Sequence, residues 1–454
     1  MHLLLHYSIR SSLTLLYSKA AYPCAAWAVF LVLWASAPGP ASGADIEIEK
    51  DGSGSMSAPT IELPSYHTPL AGEPVSTTSF GTTVDIPPRD RDNNASLVLG
   101  STLFTTSLAG RDALPIGSVY LRHRWGDTRL RAILGIFVNE FDISRTFGNL
   151  QLLGHLDNNT IPFPDEEISD GQEIRRTSII WGTVNGRAGI GMRIPVAPFQ
   201  ADNDLRLQLY GQAGYLYTKP TSDTGPEVRL PPDTTVFGTL LRVRYDGLRR
   251  NLMELPHSGL ASGMDAEAMR RNKWSDANYG GALYPRDETR DYLKVSGYLL
   301  AAGGIPGLSE KNRLLFSFYG GFTPYGKLDR FSAFRIGGGP MPTETDDLYR
   351  QVYPGAMFNQ FPVSDYLIGS AEYRRELLFF LHLHLRYTYA WVKRNIFTDN
   401  TRMFQEKQGK VFSAAITSGF FWNSQLFIEY SYDTSILRNG SPGSSLLLLW
   451  SKEL

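Results

Sequence analysis

One pattern constrains this chain more than any other: apolar and polar residues alternate, in short segments, over most of its length. Residues 381–391, LHLHLRYTYAW, are the clearest case. Leu381, Leu383, Leu385, Tyr387, Tyr389 and Trp391 fall on one side of an extended strand, and His382, His384, Arg386 and Thr388 on the other. In VFGTLLRVRY (236–245), Phe237, Leu241, Val243 and Tyr245 share a face and Arg242 and Arg244 oppose them. In TRLRAILGIFV (128–138), Leu130, Ala132, Leu134, Ile136 and Val138 line up. A period of two builds strands with one apolar face. Beyond the N-terminal region no apolar run reaches 18 residues, so helical membrane spans are not expected there.

About sixteen such segments can be placed, near 95–105, 116–125, 128–140, 148–155, 172–183, 186–195, 204–218, 234–246, 259–270, 289–302, 312–323, 364–376, 379–391, 410–421, 424–434 and 444–452. Many run ten residues or more, which suits a tilted membrane strand. The alternative is a soluble β protein with one wet face; frequent recurrence favours a barrel. The predicted fold is therefore all-β: a transmembrane antiparallel β-barrel of about sixteen strands over residues 95–454, with 324–363 as a long inward-folded loop in or over the lumen. From residue 234 onward, 271–288, 324–363 and 392–409 read as long polar connections, and 377–378 and 422–423 as tight turns. Long outer loops and short periplasmic turns give this rhythm. It fails between 148 and 204, where a long connection falls on the short side.

The composition agrees. Tyr (23), Phe (24) and Gly (43) are plentiful, as lipid-facing strands with aromatic girdles require. The balance of 44 basic and 45 acidic residues gives no electrostatic case for a nucleic-acid partner. Residues 24–37, CAAWAVFLVLWASA, follow Arg10 and Lys19 and precede PASGAD, the order of a secretory signal peptide. Residues 1–44 are read as that leader, cut after Gly43 or Ala44. The single cysteine, Cys24, lies inside it, so disulfides and cysteine-bound metals are excluded from the mature chain. Residues 45–94 are rich in Pro, Ser, Gly and Asp and read as a flexible periplasmic segment.

Few residues invite chemistry. His257 and Ser258 are adjacent, and no G-x-S-x-G elbow is present, so a tight turn explains PHSG better than a hydrolase does. His382 and His384 sit at i, i+2 and would need a third ligand to hold a metal; polar lumen residues are the simpler reading. Gly337, Gly338 and Gly339 precede Pro340 and Pro342, which forbid the helix of a phosphate loop; the glycines suit a sharply folded segment instead. No catalytic residue, metal or cofactor is predicted.

Three stretches carry a family resemblance. YDGLRRNLMELPHSGLASGMDAEAM (245–269), LDRFSAFRIGGGPMP (328–342) and SDYLIGSAEYRRELLFF (364–380) resemble, in order and spacing, the barrel of the bacterial surface antigen family. This is the superfamily of outer-membrane protein insertases and two-partner-secretion translocators. The likeness covers 234–454 well and 95–233 weakly, with eleven candidate strands before the loop and five after it. It implies an outer-membrane protein, embedded in outer-membrane lipid, that handles unfolded or nascent outer-membrane or secreted proteins. Two features depart from the family. Its loop carries an Arg-Gly-aromatic tip, where VYPGAMF (352–358) here has Pro354, and Arg350 and Arg335 are the candidates to replace that arginine. Its periplasmic polypeptide-transport-associated domains would not fit into 45–94. The candidate lumen and loop residues are Arg335, Gly337, Gly338, Arg350, Gly355, Glu372, Arg374, His382, His384 and Arg386, with Arg335 and Arg350 expected to pair with lumen acids such as Glu372. A passive porin-like channel and, more remotely, an outer-membrane hydrolase remain as alternatives.

Overall fold

A computed structural model describes residues 67–454, apart from 80–81, 87–88, 109–110, 136–137, 167, 170–171, 174–175, 199–201, 280–281, 339–346, 357–360, 399–400, 420–422, 435 and 439. The expected leader, residues 45–66 of the N-terminal segment, and Gly339 lie outside the described residues.

Sixteen antiparallel strands close into one barrel. They are β1 (Asn94–Leu108), β2 (Arg111–Trp125), β3 (Thr128–Gly135), β4 (Val138–Phe147), β5 (Leu150–Asp165), β6 (Thr177–Pro195), β7 (Asp204–Thr224) and β8 (Thr234–Asp246). Then come β9 (Pro256–Arg271), β10 (Asp291–Gly304), β11 (Asn312–Tyr325), β12 (Asp365–Leu378), β13 (Leu381–Thr398), β14 (Thr401–Gly419), β15 (Ser424–Asp433) and β16 (Gly443–Glu453). Closure is made by β16 on β1, in register from Ser445↔Phe104 to Glu453↔Ser96. At the end bearing both termini, Asn94 donates to Glu453 at 2.6 Å and the Leu454 amide donates to the Ala95 carbonyl at 2.8 Å.

The alternation sets which side chains face in. On β13, His382, His384 and Thr388 are buried, while Leu385 and Tyr387 are exposed outward. Around the outside, Leu150 (66%), Ile190 (63%) and Phe412 (54%) present bare apolar surface. A continuous apolar belt of this kind is stable against hydrocarbon, not water.

The strand number matches expectation, but two local errors cancel. The segment read as 128–140 is two strands, β3 and β4. The segments read as 172–183 and 186–195 are one, β6. Asn185-Gly186 looks like a hairpin turn, yet Asn185 lies mid-strand opposite Gly214. Gly214 makes that possible: a Cβ there would lie 2.1 Å from the Asn185 side-chain oxygen. The break between β3 and β4, in contrast, follows Gly135 inside a run whose apolar alternation (Leu134, Ile136, Val138) reads straight through it. With both changes the 166–176 connection falls on the side of the long connections, although 196–203 on the opposite side is not a tight turn.

Residues 392–409 are also not a long loop. β13 and β14 continue through them, pairing Lys393 with Glu406 and Arg394 with Gln405. The ladder persists there although the apolar face has ended.

Ahead of the barrel, Val75–Ser79 and Thr82–Ile86 form a hairpin. Residues 67–71 lie along the 250–252 turn. The Ala71 amide donates to the Arg250 carbonyl (2.9 Å), the Leu252 amide to the Pro69 carbonyl (3.0 Å), and the Thr68 hydroxyl to Glu376 (2.8 Å).

Candidate functional site in the barrel lumen

The 324–363 loop leaves β11 and folds back among the inward-facing side chains. Leu328, Asp329, Arg330, Ser332 and Ile336 are buried. Arg271 of β9 grips Asp329 with two bonds, 2.7 and 2.8 Å, and its guanidinium stacks 4.0 Å from the Trp274 ring centre. Burial pushes the Asp329 carboxyl up; Arg271 and the Ser332 hydroxyl outweigh this and hold it below the ordinary carboxylate range. Phe331 meets Trp181 of β6 edge-on, and Phe334 meets Tyr366 of β12 likewise. A short two-stranded ladder, Phe334–Ile336 with Phe361–Val363, ties the outgoing part of the loop to its end.

The returning limb crosses to other strands. The Gly337 carbonyl accepts from the Tyr353 amide at 3.0 Å. A Cβ on Gly338 would lie 2.2 Å from the Ala356 carbonyl oxygen, so the two limbs touch at backbone distance. Tyr353 is fully buried and donates to Asp433 of β15 at 2.6 Å. Gly355 has φ +82° and lies against Ser431 and Ser445, where a Cβ would sit 2.8 Å from each hydroxyl. Only glycine meets both demands cheaply.

Arg335 and Arg350 do not supply the expected pairing with Glu372. Arg335 stacks 5.3 Å from Trp181 and donates to the Arg330 carbonyl at 2.6 Å. Arg350 pairs with Glu140 of β4 at 2.7 Å. Glu372 is occupied by its own neighbours: Arg374 (2.9 Å) on the same strand, and His384 (2.9 Å) and Arg386 (2.7 Å) on β13. Register explains this, because Glu372 stands directly opposite Arg386 and Arg374 opposite His384. The other His384 nitrogen faces the Thr417 hydroxyl at 2.9 Å, and Arg386 also reaches Glu429 at 3.6 Å.

His382 turns to a different partner, the Asn251 amide at 3.0 Å. His257 faces Glu310 at 3.1 Å, while Ser258 lies opposite Arg249; the adjacent pair does not converge on one centre.

Sequence reasoning missed the tip of the loop. Asp347–Tyr349 form one 3-10 turn. Tyr349 lies among Arg244 (5.1 Å from the ring centre), Arg242 (5.7 Å) and Arg350 (5.9 Å). Leu348, Tyr349 and Arg350 close one side of a cavity of about 430 Å³, bounded otherwise by residues of β2–β8 and β10, by Arg91 and Asp92 ahead of β1, and by Asp202 of the 196–203 connection. The available signal was Arg242 and Arg244 at alternate positions of β8; what they embrace cannot be read locally.

No protein-family profile matches the chain, and no curated protein matches it in sequence. A solved structure does share its fold. CdiB from Acinetobacter baumannii superimposes with a TM-score of 0.51 at 11% identity, over 85% of this chain and 66% of that one. The chain thus spans just under two-thirds of that protein's length. BamA from Haemophilus ducreyi lacking POTRA domains 1-3 gives 0.47 at 11% identity, over 84% and 75% of the two chains. CdiB from Escherichia coli gives 0.47 at 12%, over 85% and 68%.

Proposed function

We propose that this chain is an outer-membrane barrel that handles polypeptide, assembling membrane proteins or carrying a chain across, with the 324–363 loop as a structural plug. The observation that carries this is the loop itself. It is anchored on β9 through Arg271–Asp329, on β4 through Arg350–Glu140 and on β15 through Tyr353–Asp433. A lumen crossed by so fixed a segment suits regulated passage better than free diffusion. The fold shared with a CdiB structure supports the same reading. Residues 1–44 as a leader and 45–94 as a periplasmic segment complete it.

The test is depletion in the host, scoring the assembly of other outer-membrane barrels and the export of large secreted proteins. Loss of either is the expected result; normal levels of both would refute the proposal. The arginine-lined cavity favours a second reading, a passive channel. Steady anion-selective conductance of the wild-type barrel in a planar bilayer, with the loop intact, would move the assignment there.

A further inference from the structure

The cavity under Tyr349 has a charge arrangement that barrel closure does not require. Ten arginines and seven carboxylates line it. The carboxylates are shared, not matched. Asp202 is held by Arg122 (2.9 Å) and Arg129 (3.7 Å). Asp204 is held by Arg193 and Arg206, and Asp157 by His155 (3.1 Å) and Arg187 (3.2 Å). Behind the lining, Asp265 serves both Arg242 and Arg244.

Strand register sharpens this. Arg193 of β6 stands directly opposite Arg206 of β7, and Arg206 directly opposite Arg244 of β8. Three arginines therefore form one row across three neighbouring strands, and all three line the cavity. A second like-charged pair, Arg122 opposite Arg131, lines it too. Directly opposed like charges destabilise a sheet. A chain that needed only a filled lumen would be more stable with neutral or opposite partners there. Surplus guanidinium groups gathered in a recess are well suited to gripping phosphoryl oxygens.

We propose that this cavity binds a phosphate-bearing polyanion, held by the Arg193–Arg206–Arg244 row on the strand side and facing Tyr349 and Arg350 on the loop side. Such a ligand would neutralise the row and join the wall to the plug. The inference is independent of any polypeptide-handling role. The same chemistry is offered by a free oligophosphate and by a lipid phosphomonoester headgroup.

The test uses the full barrel in dodecyl maltoside, which carries no phosphate, with the thermal unfolding midpoint as the readout. Inorganic pyrophosphate should raise the midpoint saturably, and chloride at equal ionic strength should not. Arg206→Gln should weaken that response roughly tenfold; its ligand-free midpoint, which loses one Asp204 contact and gains relief from Arg193 and Arg244, is the reference against which the response is read. Asp157→Asn should do the opposite and tighten binding, so the pair of variants tests sign as well as size. A parallel arm in nanodiscs, with and without phosphatidic acid, separates the sources: a response confined to that arm assigns a headgroup. No response in either arm, or a pyrophosphate response equal in wild type and Arg206→Gln, would overturn the proposal. If Arg206→Gln does not fold, Arg193→Gln replaces it and Asp157→Asn still reports.

Discussion

On the β12–β14 side of the lumen one carboxylate, Glu372, gathers Arg374, His384 and Arg386. On the β2–β8 side several carboxylates are each divided between two bases, and arginines face arginines across the ladder. The first arrangement is compact: Glu372, Arg374 and His384 are all less than a tenth exposed, and each stands beside its partner in register. The second encloses a cavity. The comparison separates a buried network that fixes one conformation from a charged recess with room for something else. The loop bears on β15 through Tyr353 and Asp433 and on the arginine recess through Tyr349.

The contrast can be broken most severely at Glu372. Glu372→Ala leaves three bases buried without their shared acid and should cost about 3–5 kcal/mol, read as a lower unfolding temperature in the electrophoretic heat-modifiability assay. Asp329→Asn strands Arg271, which is 1% exposed. It should cost about 3 kcal/mol and raise single-barrel conductance, since the first limb of the loop loses its anchor. Conductance unchanged by that substitution would show that the limb is held by packing alone. Tyr349→Ala removes an aromatic contact from Arg242 and Arg244, for about 1–2 kcal/mol. Its effect should appear in conductance before it appears in thermal stability.

The smallest expected effect is a pH dependence on the recess side. Burial raises the Asp202 carboxyl, but Arg122, Arg91, Arg206 and Arg129 outweigh it and hold it well below the ordinary range. A depressed folded-state carboxyl contributes stability that is complete above about pH 4 and is withdrawn as the pH falls below it. Between pH 4 and pH 2 the midpoint of wild type should therefore drop more steeply than that of Asp202→Asn. Parallel slopes would remove Asp202 from the account.

Much of the barrel was legible because a period of two survives wherever one strand face meets hydrocarbon. The 381–391 strand shows this, and Glu372, Arg374, His384 and Arg386 follow from it as inward residues. The misread places have local causes. Asn185-Gly186 offered a turn that the register at Gly214 overrides, and after Gly135 the apolar alternation continued in sequence across a place where the strand ends. Residues 392–409 lost the pattern because strands that no longer face lipid need not alternate. The arginine row was out of reach for a different reason. Arg193, Arg206 and Arg244 become neighbours only once the 196–203 and 225–233 connections have set two registers. Composition along the chain does not encode that.

The strands differ greatly in length, and this shapes the rim. β7 has 21 residues and, at a rise of about 3.4 Å, runs roughly 70 Å along its axis. β3 has eight and spans roughly 27 Å. Allowing for a tilt of about 40°, β3 alone falls a little short of a lipid band of about 25 Å, whereas β7 overshoots it about twofold. β13 and β14, with 18 and 19 residues, overshoot as well. The far edge of the barrel is thus crenellated: tall ribbons at β6–β7 and β13–β14, and low sills at β15–β16 and at β3–β4. A molecule at the membrane surface meets a wall from one quarter and a step from another, so its approach to the mouth of the barrel depends on the direction from which it comes.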